Sequence, residues 1–151
     1  MKKIKFVFNK MMWHISALGT SIFLILLVIA SFLAGQEALS LKLLAGLVFV
    51  LVTVFPLKWA FHKERPDKQG HRNWIERLDA STFPSAHSAR SAAAFVILSA
   101  FFSKLSLSIF ILAISLLISY SRVYLERHYW KDIVVGYLMG LAEGVLIVIF
   151  L

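Results

Sequence analysis

The chain has 151 residues, 60% of them hydrophobic, a formal charge of +8 and no cysteine. A soluble domain of this length has no interior large enough for so much apolar surface, so lipid must be the solvent for the remainder. Disulfides and thiolate metal sites are excluded, and the crowding of Lys and Arg at the ends of apolar runs argues for membrane interfaces and anionic headgroups, with no nucleic acid.

Residues 1–16 carry Lys2, Lys3, Lys5 and Lys10 among Ile4, Val7, Phe8, Met11 and Ile15. That helical spacing predicts an amphipathic helix lying on the membrane surface, although a plain basic flank of the next segment explains the same residues. Residues 17–34 form a continuous apolar run long enough to cross, with no small-residue cleavage site after it. Gly35-Gln36-Glu37 is a turn, and residues 39–57 make a second crossing, with Lys42 placed to snorkel. Residues 58–83 turn polar, with six Lys/Arg, four Asp/Glu, His62 and His71. They are predicted as a loop with a short interfacial helix over 73–78. Residues 84–102 form the third apolar segment, opened by Pro84, whose missing N–H suits a helix start. After a tight connection come 107–121 and, last, 132–151, where Gly136 and Gly140 give a small-residue face for close packing. The expectation is an all-α fold: one polytopic membrane helix bundle of about five transmembrane helices plus the interfacial helix. Alternating crossings bring the ends at Lys58, His87, Arg122 and His128 to one face.

The stretch Ser121–Asp132 lies between two apolar runs. His128 and Asp132 are four apart, so on a helix they share a face, and a carboxylate touching an imidazole fixes its tautomer. Arg122 offers a planar charged fork to an anion. Each of these residues alone reads as an ordinary interfacial anchor or pair.

Three clusters stand in order. Lys58 is followed by six residues and Arg65-Pro66. Then comes Pro84-Ser85-Ala86-His87. The last is Ser121-Arg122, five residues, His128, three residues and Asp132. Together they resemble the tripartite signature of the type 2 phosphatidic acid phosphatase superfamily, which shares its pocket with the vanadium haloperoxidases. The resemblance covers roughly residues 39–151. It departs at Ala86, where the family usually has Gly, and at Glu126, where the family is often small.

The resemblance implies a role for each residue. His128 attacks phosphorus and becomes phosphohistidine, with Asp132 orienting it. His87 protonates the leaving oxygen and then activates water. Lys58, Arg65 and Arg122 surround the phosphoryl oxygens, and Ser85 with the start of the third helix adds donors. Three fixed cations stand where a metal would, so no metal and no other cofactor is expected. Arg90, one turn after His87, is an accessory candidate for a substrate phosphate or a plain acid partner. Glu143, three turns after Asp132, falls roughly 16 Å deeper at the helical rise. A charge there is costly, so it is expected to be protonated or hydrogen-bonded, in a structural role or under a lipid tail. Trp59, Trp74, Tyr124, Tyr129 and Trp130 read as an aromatic belt.

The implied partners are the bilayer and a membrane lipid phosphate: a polyprenyl diphosphate such as undecaprenyl diphosphate, phosphatidic acid or phosphatidylglycerol phosphate. The compact chain resembles prokaryotic members of the family, which points to a plasma membrane. Relatives usually place the site outside the cytoplasm, whereas the Lys/Arg bias, with only Lys42 and Lys104 clearly opposite, points to the cytoplasmic face. Two other functions use the same residues: a lipid phosphotransferase passing phosphate to an alcohol, and a non-catalytic protein holding anionic lipid in a ring of cations.

Overall fold

The computed structural model describes residues 2–61 and 81–151. Among them the fold is all-helical: α1 (Lys2–Ala17), α2 (Ser21–Leu33), α3 (Glu37–Ala60), α4 (Ala86–Phe102), α5 (Leu105–Tyr124) and α6 (Trp130–Phe150). Arg65, His62, His71, Trp74 and the helix expected over 73–78 lie outside the described residues.

Three helices, α3, α5 and α6, are long and apolar enough to cross a membrane. Their outer faces leave Val52, Phe110, Leu138 and Ile149 exposed, which only a lipid solvent makes favourable. Two departures from the expected five crossings have local causes. The apolar run over 17–34 is not one helix: Thr20 caps α2 by accepting the Phe23 N–H at 3.3 Å, and α1 and α2 meet at a 54° bend. Counted as one bent span, this pair makes a fourth crossing. The second departure is α4, a shorter helix of 17 residues packed among the others. Its Ala89, Ala92, Ala93, Ser88 and Ser91 are buried, because a helix facing protein on all sides needs small residues.

The connections are set by helix ends. At Gly35, with φ +74°, the chain leaves α2 through a Schellman turn in which Gly35 N–H donates to Phe32 O and Gln36 N–H to Ser31 O, both at 2.9 Å. The hydroxyl of Ser40 then donates to Val28 O at 2.9 Å and ties α3 to α2. The end of α5 repeats the turn, with Glu126 N–H to Val123 O and Arg127 N–H to Arg122 O, both at 2.9 Å. Here the left-handed position, φ +56°, is held by Glu126 and not by glycine. That backbone is why a small residue suits the position.

Glycines decide how close α6 comes to α4. A Cβ on Gly136 would stand 2.5 Å from Ser85 O, and one on Gly140 would collide with Ala89 O. Gly144 extends the expected pair by one more turn, against Ala93 and Val96. Apolar cores fill the rest: Leu39 and Leu43 of α3 with Ile97 and Ile147, and Val50 and Val54 with Ala89 and Ala93.

Candidate active site

The helices bring four termini to one end of the bundle. The C-terminal turns of α3 and α5 carry Lys58 and Arg122, where a cation complements the helix dipole. The N-termini of α4 and α6 carry His87 and Asp132, at the end of the helix dipole that favours an anion. His128 sits in the turn between α5 and α6.

The segment Ser81–Ser85 stitches these ends together. Lys58 Nζ donates to Ser81 O at 2.6 Å, His128 Nδ1 to Thr82 O at 2.7 Å, and Ser85 N–H to Asp132 O at 3.0 Å. Arg122, Arg90, His128 and Lys58 all lie near enough to His87 to act on it electrostatically. Six of the expected residues, Lys58, Ser85, His87, Arg122, His128 and Asp132, therefore converge, with Arg90 beside them. Glu143 does not. It is buried deeper along α6, where the Thr53 hydroxyl donates to its Oε1. It is hydrogen-bonded, as expected of a mid-membrane carboxyl, and its Oε2 has no hydrogen-bond partner among the described residues.

One expectation needs correcting. His128 and Asp132 are not on one helix, since α6 starts at Trp130, so a spacing of four does not place them on a shared helical face. The imidazole Nδ1 meets a backbone carbonyl, Thr82 O. A carbonyl only accepts, so His128 Nδ1 carries its proton and the ring's lone pair lies on Nε2. Asp132 is fully buried, and its Oδ2 accepts the Tyr129 N–H at 3.0 Å, closing the start of α6.

Ser85 is the N-cap of α4, one residue after the expected start of that segment, and is fully buried. Its hydroxyl oxygen accepts from the Ser88 hydroxyl at 3.2 Å and the Ser88 N–H at 3.5 Å, which leaves its own proton to give. Ala86 follows at the first position of α4, where a methyl is compatible with helix. Arg90 is buried. Its Nε donates to Gly19 O at 3.0 Å and its Nη2 lies 3.4 Å from His87 Nδ1. No three His, Asp or Glu among the described residues gather as a metal-ligand set.

Sequence reasoning missed the backbone holders. Ser81 and Thr82 act through carbonyls, which leave no side-chain signature. Gly19-Thr20 did carry a signal, since a glycine and a cap residue inside an apolar run mark a helix break.

Fold and site define an integral-membrane helical protein with basic and histidine side chains gathered at one end. The model of the PAP2 superfamily matches residues 39–151, and the chain belongs to that superfamily. Among solved structures, the crystal structure of Aquifex aeolicus LpxE is 24% identical, with a TM-score of 0.81 over 95% of this chain and 87% of that one. The first transmembrane PAP2-type phosphatidylglycerolphosphate phosphatase structure, from Bacillus subtilis, is 27% identical, with a TM-score of 0.74 over 93% of this chain and 74% of that one. The protein is a membrane phosphatase, a hydrolase of phosphoric esters.

Proposed function

We propose that this phosphatase removes phosphate from a lipid monoester or diphosphate by way of a phosphohistidine on His128, without a metal. The single observation that carries the reading is that the Ser81–Ser85 segment ties Lys58, His128 and Asp132 to the start of the helix that carries His87, at the end of a bundle whose flanks are apolar.

The chemistry follows from the residues. His128 Nε2 holds the lone pair and attacks phosphorus in line, forming an N–P bond as the P–O bond to the lipid breaks. The departing oxygen takes a proton from His87. Water then attacks the same phosphorus and gives a proton back to His87. The N–P bond breaks, and inorganic phosphate leaves. Lys58, Arg122 and Arg65 stabilise the charge on the equatorial oxygens, and Ser85 donates its remaining proton to one of them. Asp132 offsets the positive charge that His128 gains.

A lipid fits this arrangement because its head meets the cations while its tail stays among the exposed apolar side chains. Support for the lipid class comes from the Bacillus subtilis structure, that of a phosphatidylglycerolphosphate phosphatase. The candidates are phosphatidylglycerol phosphate, phosphatidic acid and a polyprenyl diphosphate such as undecaprenyl diphosphate.

The test is phosphate release over a panel of those three lipids, with and without chelator, by wild type and His128→Ala. Wild type should turn over at least one lipid, chelator should change nothing, and the variant should lose about 10⁴-fold or more, as deletion of a nucleophile does. A folded His128→Ala protein as active as wild type would end the reading.

The site is assigned to the cytoplasmic face of a prokaryotic plasma membrane, on the Lys/Arg bias. Single cysteines at Lys104 and Lys68, probed in intact cells with an impermeant thiol reagent, should be labelled at 104 and protected at 68. The opposite pattern would put the site outside.

A further inference from the structure

The residues that match the superfamily begin at 39, yet several contacts at the site come from earlier in the chain. They lie on one stripe of α1 and on the corner that follows it. The Tyr124 hydroxyl donates to Asn9 Oδ1 at 2.7 Å, and Phe8 packs edge-on against the Tyr124 ring at 5.1 Å. The Arg127 guanidinium lies over the Trp13 ring at 5.9 Å. Arg122 Nη1 donates to the Ser16 hydroxyl at 2.7 Å. Asn9, Trp13 and Ser16 are spaced by four and three, so they share one helical face. That face lies along the end of α5 and the turn that carries His128.

The corner continues the line. Gly19 O accepts from Arg90 Nε, whose Nη2 reaches His87. Gly19 is also pressed against the ring: a Cβ there would stand 3.1 Å from His87 Cδ2 and 2.7 Å from Ile118 Cγ2. A side chain there would force Ile118 to shift and would press on the His87 ring. Ser16 is buried at 3% exposure, although it sits near the end of a helix whose other faces are largely exposed.

We infer that the end of α1 and the α1–α2 corner are a brace for the active site, in which Ser16 is the positioning residue for Arg122 and Arg90, held by Gly19, is the positioning residue for His87. This rests on the phosphatase reading above. The two arms do different things. Arg122 is part of the phosphate cradle, and without the Ser16 hydroxyl its long side chain samples more rotamers before it meets an anion. Arg90 orients the neutral imidazole, the form His87 takes once it has protonated the leaving oxygen. A guanidinium only donates, so the contact holds while Nδ1 is an acceptor, and Arg90 must turn aside when the ring carries both protons. Loss of Arg90 therefore falls on proton transfer and not on phosphate binding.

Ser16→Ala, Ser16→Thr and Arg90→Met separate these arms. Each is purified in detergent, checked for an unchanged elution volume and melting transition, and assayed for kcat, KM and inhibition by orthovanadate, whose trigonal bipyramid mimics the phosphoryl transition state. Ser16→Ala should lower kcat/KM by about tenfold and weaken orthovanadate inhibition by a similar factor, the size expected for a misplaced cradle group. Ser16→Thr keeps the hydroxyl and should recover most of both. Arg90→Met should lower kcat by about tenfold and leave orthovanadate inhibition within about twofold, because proton transfer carries a separate share of the rate.

A Ser16→Thr protein worse than Ser16→Ala would show that packing and not the hydroxyl matters, and would overturn the brace. So would Ser16→Ala and Arg90→Met proteins both within twofold of wild type. Wild type releasing phosphate from no lipid of the panel is a different failure, that of the functional reading itself.

Discussion

Two faces of α6 do opposite jobs. Toward α4 it presents Gly136, Gly140 and Gly144, and the two backbones touch with nothing between them. Toward α3 it presents Glu143, whose carboxyl meets the Thr53 hydroxyl, while that hydroxyl also lies 3.1 Å from Phe49 O and 3.3 Å from Val50 O. The first face has no adjustable part, so it fixes distance. The second is made of groups that rotate and exchange partners, so it tolerates change. The catalytic end depends on the first: Ser85 N–H reaches Asp132 O at 3.0 Å only because the helices are in contact along the seam below. Membrane helices gain little from burying apolar groups against each other, since lipid is equally apolar. Close backbone approach and polar contacts are what remain, and α6 keeps one on each side.

The largest effect should come from breaking the rigid face. In Gly140→Ala the new methyl would overlap Ala89 O, a backbone atom that cannot swing away. Overpacking costs typically about 1–3 kcal/mol and sometimes more. Here relief requires α6 to move off α4 along the seam that sets the spacing between His87 and His128. The expected result is a melting transition lowered by many degrees, with no measurable phosphate release from the protein that stays folded. A Gly140→Ala protein with wild-type melting and activity would mean that the seam is looser than these backbones imply.

The same contrast explains what was legible in the sequence. Apolar runs located α3, α5 and α6, because membrane length and hydropathy are properties of a single segment. The converging ends of Lys58, His87, Arg122 and His128 were legible from alternation of crossings together with the resemblance. What failed were inferences needing knowledge of where a helix begins. Spacing by four pairs His128 with Asp132 only inside a helix, and the chain instead leaves α5 through the turn at Glu126 and restarts at Trp130. The apolar run over 17–34 hid a corner because Gly19-Thr20 is a two-residue signal among strong hydrophobic ones. The carbonyls of Ser81 and Thr82 could not be read at all, since any residue supplies one. Arg90 was legible as a face-sharing neighbour of His87, but Gly19, its anchor from the α1–α2 corner, was not.

The smaller effect belongs to the adaptable face and sharpens the contrast. Glu143 lies between two of the glycines, so it moves with the same helix but presses on a different neighbour. In Glu143→Gln the side-chain oxygen still accepts from Thr53, and an amide replaces the oxygen that has no partner among the described residues. Volume and seam are unchanged. The expected outcome is activity within about twofold of wild type and stability within about 1 kcal/mol, the net size of one hydrogen bond. Glu143→Ala should cost more, about 1–3 kcal/mol, because it removes Thr53's partner and opens a void between α3 and α6. Thermal unfolding in detergent beside phosphate release reads both. If Glu143→Gln melted like wild type yet released no phosphate, the carboxylate would belong to the chemistry despite lying about three turns beyond Asp132, and the division between a face that sets geometry and a face that only fills the bundle would fail.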